Sequence, residues 1–116
     1  MKDDKLYLIH ISECIAKIAQ YTHGGRDAFF GSPLIQDAVV RNFEIIGEAS
    51  KRISPALKQR YPDVAWRQLA GFRDVLIHNY MGVKLAQVWG TIEQSLPQLQ
   101  QQIASILADQ PPPHAS

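Results

Sequence analysis

Apolar residues at steps of three and four run through most of this chain, and that periodicity leaves helix as the element it can build. Leu8, Ile11, Ile15 and Ile18 recur at that spacing, which on a 3.6-residue turn makes one core-facing stripe. Ile35, Val39, Ile46 and Ile53 form a second, with Ala38 and Ala49 beside them. Leu85, Val88, Trp89, Ile92, Leu96, Leu99, Ile103 and Ile106 form the longest. No stretch alternates as a half-buried strand does, and none repeats another. The expected fold is all-α, a helical bundle of four main helices plus a short connecting helix.

Helix breakers punctuate these stripes. Gly24-Gly25 ends the first helix, and a loop is expected to reach Gly31, with Phe29 and Phe30 packing down on the bundle. Ser32-Pro33 reads as an N-cap followed by proline at the first helical position, opening a second helix that runs to about Ile53. Gly47 inside that helix costs propensity and points to close approach by another backbone. Ser54-Pro55 starts a short turn through Gln59, Tyr61-Pro62 breaks it, and Asp63 is the expected cap of a third helix reaching about Tyr80. Pro97 lies inside the last stripe, so a kink or break is expected there. The bundle is expected over 1–108, with a disordered Pro-rich tail over 109–116.

Size and charge narrow the function. A chain of 116 residues fits one domain with one core. A formal charge of +1 gives no bulk basic field, so contact with nucleic acid must come from a local cluster. The one cysteine, Cys14, excludes an internal disulfide, fits a reducing compartment and reads as a small buried hydrophobe. The charged start is no signal peptide, and no apolar run approaches the roughly 20 residues a membrane span needs, so a cytoplasmic protein without membrane contact is expected. His10, His23 and His114 are scattered without partners at metal-ligand spacing, and no Gly-rich phosphate loop is present. Neither metal nor cofactor is expected.

Chemistry concentrates in Gly71-Phe72-Arg73-Asp74-Val75-Leu76-Ile77-His78-Asn79-Tyr80. On a wheel Arg73 and Tyr80 share a face with Trp66, Leu69, Ala70 and Ile77, so the arginine should emerge from a partly buried surface. His78 falls about 140° away, within reach only of a long side chain or a widened last turn. Asp74, four residues before His78, could accept a bond from its ring and favour the imidazolium. Gly71 leaves room on that flank for a ligand or a second subunit. Arg-x4-His by itself fits two readings, a catalytic pair or a histidine placed at the negative end of a helix dipole. On the second helix Asn42 sits in the apolar stripe, either as a buried amide with a satisfied bond or as a cleft-lining group. Arg41, Glu44, Glu48 and Arg52 form a charged edge, read first as a solvated face laced with ion pairs.

The block Trp66-Arg67-Gln68-Leu69-Ala70-Gly71-Phe72-Arg73-Asp74-Val75-Leu76-Ile77-His78-Asn79-Tyr80 resembles the signature of HepT-like proteins of the HEPN superfamily, Arg-x4-His-x-Tyr late in a helix. Asp37 to Ala49 resembles that family's second-helix motif, and Gly82-Val83 with Val88-Trp89 and Leu96-Pro97 its closing helix. Three blocks in order span nearly the whole chain outside the tail. Relatives often carry Asn after the arginine and Asp after the histidine. This chain has Asp74 and Asn79 there, an exchange expected to alter local hydrogen bonding and keep the site.

The resemblance implies a homodimeric HEPN-type bundle, the toxin of a type VII toxin–antitoxin pair, acting as a metal-independent endoribonuclease on RNA. It makes Arg73 and His78 the catalytic pair. It makes Tyr80 the residue on which an MntA-like nucleotidyltransferase antitoxin places AMP. Asp74, Asn79, Asn42, Arg41 and Glu48 are then supporting or cleft-lining residues. The chemistry is consistent. RNA cleaves itself when its 2′-OH is deprotonated, the phosphorane charge is held and the leaving 5′-oxygen is protonated, tasks that suit histidine and arginine. Each chain supplies one such histidine, so a two-fold axis would bring a base and an acid to one cleft. The alternative is a non-catalytic dimeric HEPN module that binds a nucleotide or a nucleotidyltransferase through the same cleft.

Overall fold

The computed structural model describes residues 2–78 and 84–110. Asn79 and Tyr80, and the tail from Pro111, lie outside the described residues. Those described form helices and turns, with no strand among them. The helical segments are α1 Lys2–Tyr21, α2 Arg26–Phe30, α3 Pro33–Arg52, α4 Pro55–Arg60, α5 Trp66–His78, α6 Leu85–Gln94 and α7 Leu96–Asp109.

The stripes close the core as their spacing requires. Leu8, Ile11, Ile15 and Ile18 of α1 meet Val39, Phe43 and Ile46 of α3 and Ile53 just after it, and Val88, Ile92, Leu96, Leu99, Ile103 and Ile106 of α6 and α7 complete the cluster. Helix α3 is the hub, with α1 packed along one side and α5 along the other. Its ends are set locally: Ser32 accepts a bond from the Ile35 N–H at 3.2 Å, and Pro33 follows it. Cys14 is buried, and burial raises its thiol pKa, so it behaves as a small apolar group.

Four details differ from the sequence reading. The loop after Gly25 contains the short helix α2, whose Phe29 is buried against Trp89 with ring centroids 5.4 Å apart. Asp63 does not cap α5. Val64 and Trp66 are both buried, and the Trp66 indole N–H donates to the Tyr61 carbonyl at 3.0 Å, so the chain turns until Trp66 before it becomes helical. The break near Pro97 falls at Ser95, with the proline in the first turn of α7. The buried residues of α5 are Trp66 and Leu76, with Leu69 and Phe72 packed beside them, whereas Ile77 is 40% exposed. Four residues at steps of three and four decide which side of a helix faces the core, and Ile77 falls off that stripe.

A further tie joins the two ends of this scaffold. Asp4, in the first turn of α1, is buried and accepts bonds from the Ser54 N–H at 2.8 Å and the Ser54 hydroxyl at 2.6 Å. Ser54 in turn accepts from the Leu57 N–H and caps α4. The carboxylate thus fixes the turn that leads from α3 into α4 and α5.

Candidate active site

The site begins at a missing side chain. A Cβ on Gly47 of α3 would overlap the Cβ of Arg73 and stand 2.8 Å from the Leu69 carbonyl oxygen. Helices α3 and α5 therefore touch nearly backbone to backbone at this point, and the stem of Arg73 lies across the glycine. Its side chain is 26% exposed, with the apolar stem covered and the charged head at the rim.

Two carboxylates hold that head. Glu48, next to Gly47, forms an ion pair with Arg73 Nε at 3.2 Å. Asp74 Oδ1 accepts from Arg73 Nη1 at 3.1 Å and from Lys51 Nζ at 3.0 Å. Glu48 also accepts from Arg52 Nε at 3.1 Å. The cluster holds three cations against two carboxylates and is net positive. Hydrogen bonds from Lys51 and then Arg73 hold the Asp74 carboxyl below its ordinary pKa, so it is an anion at neutral pH.

The expected site residues are distributed unevenly. Arg73, Asp74 and Glu48 come together. Asn42 is buried and donates to the Ala38 carbonyl of its own helix at 2.8 Å, the satisfied amide of the first reading. Arg41 is exposed and pairs with Glu44 at 3.6 Å, outside the Arg73 cluster. Among the described residues no bond joins Asp74 to His78, and Asp74 Oδ1 pairs instead with Lys51 and Arg73. Lys51 escaped the sequence reading. It stands one turn beyond Gly47, and that step of four places it on the side where α5 makes its close approach.

His78 is the last residue of α5 and is exposed. It lies about 7.5 Å along the axis from Arg73 and about 140° around it. Its stripe continues back through Val75, Gly71 and Gln68, all exposed. A Cβ on Gly71 would meet nothing within 4 Å, and Val75 is 43% exposed. One helix thus carries a carboxylate-held guanidinium on its packed flank and an imidazole on an open, partly apolar flank. Such an arrangement can bind a phosphate and exchange protons with it once the two flanks are brought to one ligand. Among the described residues no three of His, Cys, Asp or Glu stand close enough together to hold a metal ion. No helix among them is long and apolar enough to cross a membrane.

Comparison with known proteins places the chain in a family. The family profile described as Ribonuclease HepT-like matches residues 11–106. A Methanocaldococcus jannaschii protein, whose name couples gamma-glutamylcyclotransferase to a candidate RNase, is 40% identical over 109 residues. That match covers 93% of this chain and 49% of the relative, so the chain spans about half of that protein's length. A candidate RNase of Caldanaerobacter subterraneus is 38% identical over 92% of this chain and 96% of its own length. A Thermococcus cleftensis protein named probable ribonuclease HepT is 39% identical over 84% of this chain and 90% of its own. No solved structure matches the chain with significance. With its all-helical fold, a family match over most of its length and relatives of this kind, the chain belongs to the HepT-like ribonuclease family.

Proposed function

We propose that this protein is a metal-independent endoribonuclease, the toxin of a toxin–antitoxin pair, with Arg73 and His78 as its catalytic residues. The observation that carries the reading is the setting of Arg73. Its stem lies on Gly47, and Glu48 and Asp74 hold its head in place. A guanidinium with five donors in a fixed fork can be held at its flank by carboxylates and still offer N–H groups to a phosphate. Held this way, it meets the developing phosphorane charge without having to reorganise.

The nucleophile belongs to the substrate. Histidine removes the 2′-OH proton, that oxygen attacks the adjacent phosphorus, and a second proton goes to the departing 5′-oxygen. The products are a 2′,3′-cyclic phosphate and a 5′-hydroxyl. Each chain brings one His78 imidazole, which supplies one of these roles at a time, so two copies are needed for base and acid. The open stripe of Gly71, Val75 and His78, flanked by exposed Ile77, is suited to a second copy of the same helix. An isologous contact there would bring both His78 side chains to one cleft.

Metal-free cleavage of RNA in EDTA, compared between the wild type and His78→Ala, tests the assignment. Cyclic phosphate ends from the wild type and a loss of about 10²-fold or more in the variant are expected. Equal cleavage by both would remove His78 from the mechanism. Regulation is proposed through Tyr80, two residues after His78. AMP esterified there would put a bulky anion close to the cation meant for the substrate phosphate. Co-expression with a cognate nucleotidyltransferase should then add one or more AMP masses to the Tyr80 peptide, and an unmodified peptide would end this branch while leaving cleavage open.

A further inference from the structure

A second basic feature adjoins the Arg73 cluster. An open groove of about 640 Å³ lies where the end of α3, helix α4 and the start of α5 meet. Lys51, Lys58 and Arg67 line it together with Gln68, and no carboxylate is among its lining residues. Lys58 and Arg67 have no ion-pair partner among the described residues. In a chain whose formal charge is only +1, two unpaired cations facing one groove form a local positive field that the bulk charge does not suggest.

Lys51 joins the groove to the candidate catalytic cluster. It lines the groove, and its ammonium shares Asp74 Oδ1 with Arg73. The positive line therefore continues from Arg67 and Lys58 through Lys51 to Arg73. Along α5 the distance from Arg67 to Arg73 is about 9 Å. Among the described residues the groove has no stacking platform, because the one aromatic ring that lines it there, Trp66, is 7% exposed and donates to the Tyr61 carbonyl. Cations without an exposed ring recognise phosphates and leave the bases unread.

We propose that this groove holds the phosphodiester backbone of single-stranded RNA as it leads into the Arg73 site, with Lys51, Lys58 and Arg67 as phosphate contacts. The inference rests on the ribonuclease reading and adds to it where the substrate lies and how it is chosen. In-line attack by a 2′-oxygen needs a backbone free of A-form geometry, so the stretch entering the site is unpaired. Selection is by strand flexibility and charge, with little dependence on sequence.

The test uses the full chain, a 12-nucleotide RNA and a dinucleotide too short to reach from Arg73 into the groove. The variant is Lys58→Gln combined with Arg67→Gln, which leaves Lys51 in place to hold Asp74. Near 0.1 M monovalent salt each lost phosphate contact weakens single-strand binding about 5-fold, so two should lower the 12-mer to dinucleotide ratio of kcat/KM about 25-fold. The log–log salt dependence of 12-mer binding should flatten by about 1.4. An unchanged ratio and salt slope in a variant that unfolds at the wild-type temperature would overturn the proposal.

Fluorescence anisotropy with an uncleavable 2′-O-methyl 12-mer separates the groove from catalysis. If the wild type binds this RNA, the double variant does not, and neither cleaves RNA, the groove stands and the ribonuclease reading falls. If the double variant keeps RNA affinity and loses binding to a co-expressed nucleotidyltransferase, the groove is a protein interface and the proposal is wrong.

Discussion

Gly47 and Arg73 occupy one contact. The methyl that alanine would bring to position 47 falls on the Cβ of Arg73, and it also stands 2.8 Å from the Leu69 carbonyl. A flexible side-chain end could move aside, whereas these are a backbone-anchored carbon and a carbonyl within a helix. The glycine therefore sets how closely α5 approaches α3, and with it where the guanidinium stands relative to Glu48.

Gly47→Ala should cost about 1–3 kcal/mol of stability, the range for overpacking a close contact. It should also lower RNA cleavage, because Arg73 is displaced. Gly90→Ala in α6 is the control, since its added Cβ meets nothing within 4 Å. There the helix-propensity gain of about 0.5–1 kcal/mol should appear. Urea unfolding of the two variants beside the wild type reads both signs, and a stabilised Gly47→Ala would contradict the packing argument.

Glu48 holds Arg73 from the neighbouring helix and touches no substrate in this reading, which makes it a positioning residue. Glu48→Gln should reduce kcat by about 10–100-fold through misplacement of the guanidinium. Glu48→Asp should recover part of that loss. KM for the dinucleotide should change less than kcat, and equal losses in Gln and Asp variants with unfolding temperatures lowered alike would make the role structural only.

Asp74 gives the site its acid dependence. Its folded-state pKa is lowered, first by Lys51 and then by Arg73. The stability it contributes is therefore present above the unfolded aspartate value of about 3.9 and is lost as pH falls through the lower folded value. The gap in unfolding temperature between the wild type and Asp74→Asn should be constant from pH 7 to about 5 and close below about pH 4. With 45% of its side chain exposed, the gap should also shrink in high salt. A gap that widened on acidification would contradict this assignment.

Val75→Asp places a charge on the open flank of α5, where valine is 43% exposed. In a lone chain the change is tolerated on the surface. In the proposed dimer it sets like charges against each other across the two-fold axis. Light scattering should show monomer, and RNA cleavage should fall by about 10²-fold or more as one proton-transfer partner is lost. A dimeric, fully active variant would place the interface elsewhere.

Cys14 is buried, and burial raises its thiol pKa. Alkylation by iodoacetamide at pH 8 should be slow in the native protein and rapid in urea. Rapid labelling of the folded chain would show that α1 opens locally.

The sequence by itself determined that this chain is helical and which stripes of α1, α3, α6 and α7 face its core, but not the core face of α5. Leu8, Ile11, Ile15 and Ile18, and the stripes of α3, α6 and α7, follow from spacing alone, because a helix fixes every side chain's direction by its position. Ser32-Pro33 and Ser54-Pro55 set two helix starts for an equally local reason, a hydroxyl placed to accept a backbone N–H. The Arg73 and His78 motif was also legible as residue types and order, and Gly47 marked a close approach. Tertiary structure alone decided which helix that approach brings and what it brings with it. The meeting of Arg73 with Glu48, the diversion of Asp74 from His78 to Lys51, and the groove shared by Lys51, Lys58 and Arg67 all join segments far apart in the chain. Periodicity gives each helix a face, but the pairing of faces depends on how α3 and α5 pack, and that packing chooses the partner of every charge at the site.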